Sequence, residues 1–160
     1  MERMSRVDQA VILAAGRGSR MGMMTESFPK CMVELAGRSL IEWQIQSLHA
    51  AGVSSISLVA GYKGKSLENY ELPMDWNKEW EDTNMVISLI KAKKRLQKSP
   101  TIISYSDIVY HPEIVNSLIG SYGDIVITYD RLWHDLWSVR FDNPLDDAES
   151  FREEGGFLKE

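Results

Sequence analysis

Apolar positions along this chain fall into two rhythms. QAVILA (residues 9–14), SISLVA (55–60) and TIISY (101–105) are short runs bounded by glycine, proline or polar residues. Each reads as a strand, and QAVILA, a short apolar run ending at glycine, as a buried one. Between them the spacing becomes helical. Ser39 to Glu42 (SLIE) is a capping-box pattern that opens a helix with Leu40, Ile41, Ile45 and Leu48 apolar and Gly52 as its stop. Gly61 and Gly64 bracket a turn, and residues 65–82, with Pro73, Trp76 and Trp80, give no periodic signal. A second helix is predicted from about Thr83 to Gln97, with Met85, Leu89 and Leu96 at helical spacing and Pro100 after it. Pro112 suits the first turn of a third helix through Ile119, followed by Gly120. DIVITY (124–129) reads as a fourth strand, Trp137 to Phe141 as a fifth, and the final FREEGGFLKE as a β-hairpin around Gly155-Gly156. Strands alternating with helices predict an open, mainly parallel α/β sheet in a single domain, residues 1–160. Ligands of such sheets sit beyond the carboxyl ends of the strands.

Composition narrows the class. The chain is 44% hydrophobic and 26% charged, with a formal net charge of −5. One dense basic run, Lys91, Lys93, Lys94, Arg95 and Lys98, falls on a predicted helix and reads as a solvated face. A nucleic-acid partner is therefore not expected. No apolar run reaches the roughly 18 residues of a membrane span, and the first apolar run is short for a signal peptide. The single cysteine, Cys31, excludes an internal disulfide and suits a reducing cytoplasm. It lacks a paired base and reads as a small buried side chain.

The candidate chemistry lies after the first strand, in LAAGRGSRMGMMTESFPK (13–30). Gly16 and Gly18 begin a dinucleotide-type fingerprint, but its third glycine position is Met21, and no P-loop motif is present. Gly22 and Pro29 oppose a continuous helix, so the segment is expected to be a long loop over a ligand. Its glycines let backbone N–H groups approach phosphate oxygens. Arg20 can fork onto two oxygens, and Lys30 is a mobile point charge. The string G-x-G-x-R-M-x-x-x-T-x-x-x-P-K, Gly16 to Lys30, thus suits a triphosphate.

This segment and its continuation through residue 64 resemble the N-terminal signature of the nucleotidyltransferases that activate sugar phosphates and related phosphate esters. WNKEWEDTNMVISLIKA (76–92) and DRLWHDLWSVRFDNPLDDAESF (130–151) resemble the phosphocholine cytidylyltransferase branch. The resemblance implies a Rossmann-like, three-layer fold. It implies that a small phosphate-ester acceptor attacks the α-phosphorus of a nucleoside triphosphate, CTP in that branch, and that pyrophosphate leaves. A sugar-1-phosphate nucleotidylyltransferase and a non-catalytic regulatory nucleotide-binding module are the alternatives. The implied catalytic residues are Arg20 on the β and γ phosphates, Lys30 on the α-phosphate or the acceptor, and Asp107 as the ligand of Mg²⁺. Ser106 stands where a glycine usually precedes that aspartate. Leu13, Ala14, Ala15, Gly16, Arg17, Gly18 and Ser19 are expected to line the nucleotide pocket. Asn84 and Ser88, four apart on one helix face, are candidates for the base or ribose, and Asn84 equally for a helix start. Thr83 is similarly open.

Trp76, Trp80, Trp133 and Trp137 could form an aromatic cage for a quaternary ammonium, but packing is the expected role of each, as it is of Trp43. His49, His111 and His134 show no metal-ligand spacing. Asp146, Asp147 and Glu149 read as solvated charge. Members of the resembled family continue beyond a position like Glu160, so a fragment lacking a second metal aspartate and much of the acceptor site is expected. Oligomeric state has no signature in the sequence.

Overall fold

The computed structural model describes residues 7–146, 148 and 151–159. Its contacts divide the chain into two compact units, Met1–Tyr122 and Gly123–Glu160.

The first unit is an α/β sandwich. Strand β1 (Gln9–Ala14) leads into a 3₁₀ stretch, Ser19–Thr25, broken at Gly22, and a second 3₁₀ turn, Lys30–Met32. A small hairpin, β2 (Glu34–Leu35) and β3 (Arg38–Ser39), precedes helix α1 (Leu40–Ala50). Strand β4 (Ser55–Ala60), the 3₁₀ stretch Gly64–Tyr70 and strand β5 (Met74–Trp76) follow. Helices α2 (Met85–Lys91) and α3 (Lys93–Leu96), strand β6 (Thr101–Tyr105) and helix α4 (Pro112–Gly120) complete the unit.

The sheet order is β5-β4-β1-β6, and all three pairings are parallel. Successive strand side chains point to opposite faces. Ala10, Ile12 and Ala14 of β1 therefore join Ile41 and Leu48 of α1 and Val115 of α4 in one core. Val11 and Ala15 join Val59, Ala92 and Leu96 on the other. Helices thus cover both faces, giving three layers. That is why β1 and β4 are buried along most of their length, whereas β6, at the sheet edge, alternates buried Ile102 and Ser104 with exposed Ile103 and Tyr105.

The capping box forms as its sequence implies. Ser39 Oγ accepts from Glu42 N–H at 3.3 Å, and the Glu42 carboxylate accepts from Ser39 N–H at 2.8 Å. The expected helix 83–97 is divided at Ala92, which is fully buried against the sheet. Strand β5 was hidden from the pattern because it is three half-exposed residues pairing only with β4.

In the second unit two expectations fail. Residues 124–129 pair with no strand, and Ile125 is 85% exposed. A strand is stable only with a partner for its backbone groups, which β-branched composition does not supply. Trp137 to Phe141 is not a strand either. Trp133–Ser138 is helix α5, whose Trp133, Leu136 and Trp137 follow the i, i+3, i+4 rhythm. The hairpin does form. Strands β7 (Glu153–Glu154) and β8 (Phe157–Leu158) pair antiparallel across Gly155 (φ 61°) and Gly156 (φ 85°), positive angles that glycine adopts without strain. Asp147 and Glu149 lie outside the described residues.

Candidate functional site

Strand order reverses between β1 and β6: the chain builds β4 and β5 on one side of β1, then crosses to add β6 on the other. The carboxyl ends of β1 and β6 therefore frame a crevice, the expected place for a ligand. A cleft of about 240 Å³ lies there, lined by Leu13, Ala15, Gly16, Gly18, Lys30, Trp80, Thr83, Asn84, Met85, Ser88, Tyr105, Ser106 and Asp107.

The structure brings together most of the residues expected from sequence: Leu13, Ala15, Gly16, Gly18, Lys30, Asn84, Ser88 and Asp107 all line this cleft. Ala14 is buried beneath it. Arg17, Ser19 and Arg20 are exposed on the loop and do not line the cleft. The cleft lining also includes Met85, Tyr105 and Trp80.

The loop is shaped by contacts distant in sequence. Thr25 is fully buried, and its Oγ1 lies 3.3 Å from the carbonyls of both Gly18 and Gly22, drawing the loop into a coil. Tyr62 buttresses it from the β4 side. Its hydroxyl lies 3.0 Å from Thr25 O and 3.1 Å from Glu26 O, and its backbone N–H donates to Ala15 O at 2.9 Å. The Arg17 guanidinium stands over the Tyr62 ring at 5.5 Å, and the Trp80 ring meets it edge-on at 5.0 Å. Gly18 has φ 71°, and a Cβ there would fall 2.8 Å from Lys30 Cβ. Only glycine lets the Lys30 stem pass so close to the loop backbone.

Lys30 Nζ meets Asp107 Oδ2 at 2.5 Å, joining the end of the loop to the turn after β6 across 77 positions of sequence. Their side chains are 30% and 36% exposed. A pair this wet contributes at most about 1 kcal/mol to stability, so it is a weak staple and an accessible pair of opposite charges.

The Asp107 turn is itself anchored from behind. Gln44 of α1 is fully buried; its Nε2 donates to Ile108 O at 2.8 Å and its Oε1 accepts from Ser104 Oγ at 2.9 Å. Ser47 Oγ donates to Tyr110 O at 2.6 Å. The opposite wall is ordered by Asn84, whose side chain caps α2 by accepting from the N–H groups of Val86 and Ile87 at 3.0 and 3.2 Å. Asn84 is thus a helix-start residue and a cleft residue at once.

Cys31, beside Lys30, is 1% exposed, and burial pushes its thiol up to about 12. It is a neutral packing group. The tryptophans also pack. Trp76 covers Gly64, Trp43 Nε1 donates to Leu35 O at 2.9 Å, and Trp133 and Trp137 belong to α5 of the second unit. Trp80 alone of them lines the cleft.

Among the described residues, no three His, Cys, Asp or Glu side chains converge as a metal cage. Among the described residues, Asp107 is the one carboxylate lining the cleft. Mg²⁺ commonly uses one or two protein carboxylates and takes its remaining ligands from phosphates and water. The donor set therefore fits Mg²⁺ brought in with a polyphosphate. Among the described residues no helix is long and apolar enough to cross a membrane.

A parallel sheet with a glycine loop and an opposed lysine and aspartate at its switch point defines an α/β nucleotidyltransferase-type fold. A model of the MobA-like NTP transferase domain matches residues 10–149, and the chain belongs to that family. It is 40% identical, over 94% of its length, to the CTP:phosphoglutamine cytidylyltransferase of Campylobacter jejuni, of which it covers 64%. It is 36% identical, over 59% of its length, to the choline-phosphate cytidylyltransferase of Streptococcus pneumoniae, of which it covers 43%. The solved structure of the CTP:phosphocholine cytidylyltransferase from Streptococcus pneumoniae superposes with a TM-score of 0.60 at 30% identity, covering 68% of this chain and 50% of that one. The chain thus spans less than two thirds of the length of these relatives.

Proposed function

We propose that this protein is a cytidylyltransferase, moving CMP from CTP to a small phosphorylated acceptor with release of pyrophosphate. The observation that carries this reading is the Lys30–Asp107 pair at the sheet's switch point, lining one cleft together with Gly16 and Gly18. The named relatives with CTP as donor support the choice of nucleotide.

The acceptor phosphate is mostly dianionic near pH 7, so it needs no protein base to become a nucleophile. An acceptor oxygen forms a bond to the α-phosphorus while the bond from that phosphorus to the bridging oxygen of pyrophosphate breaks; the electron pair leaves with pyrophosphate. The difficulty is aligning two anions, and positioning plus electrostatic stabilisation must overcome it. Backbone N–H groups of residues 14–18 serve the phosphates. Lys30 neutralises charge at the α-phosphate and the incoming acceptor. Arg20, exposed on the loop, is assigned to the β and γ phosphates, which extend outward. Asp107 would hold Mg²⁺, which when bound offsets the negative charge of the phosphate oxygens.

For the acceptor we place phosphoglutamine ahead of phosphocholine. The phosphoglutamine enzyme matches nearly the whole chain, whereas the choline-phosphate enzyme matches 59% of it. The test is pyrophosphate release with CTP and, separately, phosphoglutamine, phosphocholine and glucose 1-phosphate. Turnover with phosphoglutamine, lost in Lys30→Ala and Asp107→Ala, is expected. Turnover with glucose 1-phosphate and UTP alone would replace this reading with sugar activation. CTP binding without turnover on any acceptor would favour a binding module.

A further inference from the structure

Among the described residues, Lys30 and Asp107 are the only charged side chains lining the cleft, and each engages the other. Lys30 Nζ donates to Asp107 Oδ2 at 2.5 Å. The same two groups are assigned to incoming ligands of opposite sign, Lys30 to phosphate and Asp107 to Mg²⁺. An ammonium and a carboxylate in contact present no net charge to a polyphosphate or to a cation. Each group therefore weakens the other's attraction for its ligand.

The structure fixes both groups at their bases and leaves their charged ends within reach of water. A Cβ on Gly18 would fall 2.8 Å from Cβ and Cδ of Lys30 and 3.0 Å from its Cγ, so the stem runs close along the loop backbone and only the end of the side chain is left to turn. The turn bearing Asp107 is held from behind. Ser104 Oγ donates to the buried Gln44 Oε1 and accepts from the Tyr110 hydroxyl at 3.1 Å, while Gln44 Nε2 donates to Ile108 O. The paired side chains are 30% and 36% exposed, and an ion pair this wet is easily broken. Lys30 can thus leave Asp107 by turning about its last side-chain bonds, with the backbone of loop and turn in place.

We infer that the Lys30–Asp107 pair is an exchange latch that couples metal binding to nucleotide binding: Asp107 gives up Lys30 on taking Mg²⁺, and Lys30 is released to the phosphates that arrive with the metal. The inference rests on the reading that this cleft holds a nucleoside triphosphate with Mg²⁺. The metal alone leaves the Lys30 charge beside a dication, and the nucleotide alone leaves the Asp107 charge beside phosphate. Together they replace one ion pair with two favourable contacts. Each ligand then raises the affinity of the other by the same factor. A distinctive consequence follows: removing either partner strengthens the binding of the other partner's ligand when that ligand is offered alone.

The test compares the full chain as wild type, Lys30→Met, Lys30→Arg and Asp107→Asn, with thermal melting to establish that each is folded. Mn²⁺, a paramagnetic ion with the same preference for oxygen ligands as Mg²⁺, is titrated without nucleotide and followed by electron paramagnetic resonance. CTP is titrated calorimetrically in EDTA and in excess Mg²⁺. Lys30→Met is expected to bind Mn²⁺ about fivefold more tightly than wild type, and Lys30→Arg, which keeps the charge, to stay near wild type. Asp107→Asn is expected to bind CTP in EDTA about fivefold more tightly than wild type, with a smaller ratio of affinities with and without Mg²⁺. A staple that merely ordered the end of the loop would lose affinity in these variants under every condition. Absence of the gain in either folded variant, Mn²⁺ for Lys30→Met or metal-free CTP for Asp107→Asn, overturns the inference while leaving a nucleotide site, so one folded variant suffices. Failure of the wild type to bind CTP with Mg²⁺ overturns the reading of the cleft and this inference with it.

Discussion

Gly18 is where one atom decides the site. A Cβ added there would sit 2.8 Å from both Cβ and Cδ of Lys30, on a backbone already at φ 71°. Gly18→Ala is expected to cost about 1–2 kcal/mol of stability from left-handed strain. Because it displaces the Lys30 stem, it is also expected to weaken CTP binding by about tenfold or more. Thermal melting and calorimetry measure the two effects; unchanged affinity in a folded variant would show that Lys30 is not held by Gly18. Cys31 offers a second check. The thiolate is the reactive form, and burial raises this thiol to about 12. Iodoacetamide at pH 8 is expected to leave the native chain unmodified and to alkylate it after denaturation. That Gly16, Gly18, Lys30 and Asp107 gather in one cleft was legible in the sequence because they follow the carboxyl ends of strands of one parallel sheet, while the role of Asp107 came from the family resemblance. Gln44 and Tyr62 were not legible. Gln44 acts on Ile108 from 64 positions away and Tyr62 on Thr25 from 37, and an isolated Gln or Tyr gives no sign of such partners.

Among elements, the connection from β6 to α4 depends on α1. Gln44→Leu would orphan Ile108 O and remove the acceptor of Ser104 Oγ, at a cost of about 1–3 kcal/mol. It should also loosen the turn bearing Asp107, so Mg²⁺-dependent CTP affinity is expected to fall more than Mg²⁺-independent affinity. Calorimetry with and without Mg²⁺ makes the comparison. At the start of α1, hydrogen bonds from Ser39 hold the Glu42 carboxyl below its ordinary value of 4.5. A carboxyl depressed in the folded state stabilises the fold above its unfolded pKa, and that contribution is lost as pH falls through the folded value. Glu42→Gln is therefore expected to flatten the fall in melting temperature below about pH 4.5, while Ser39→Ala costs about 1 kcal/mol near neutrality. A melting curve of Glu42→Gln parallel to wild type down to pH 3 would contradict the capping box. Element legibility followed environment. β1 and β4 are covered on both faces, and their sequences show it, whereas β6 at the sheet edge alternates buried and exposed positions. β5 is three residues at an edge, and residues 124–129 have strand composition without a strand partner.

The whole molecule places its chemistry against its own average. With a net charge of −5, it gathers Arg17, Arg20 and Lys30 on one loop and sets Lys30 at the cleft. The three-layer unit makes β1 the most enclosed element, flanked by β4 and β6 and covered on both faces. Burial of β1 on both faces and its parallel pairing with β6 are what hold the Gly16–Gly18 loop and the Asp107 turn within reach of one another. The second unit carries its own helix and hairpin, and the family match extends through residue 149. The most direct test is a crystal structure of this chain grown with CTP and Mg²⁺. The triphosphate is expected against the Gly16–Gly18 backbone, with Lys30 at the α-phosphate and Mg²⁺ on Asp107. CTP bound elsewhere on the molecule, or an empty cleft in crystals of a chain that binds CTP in solution, would contradict it.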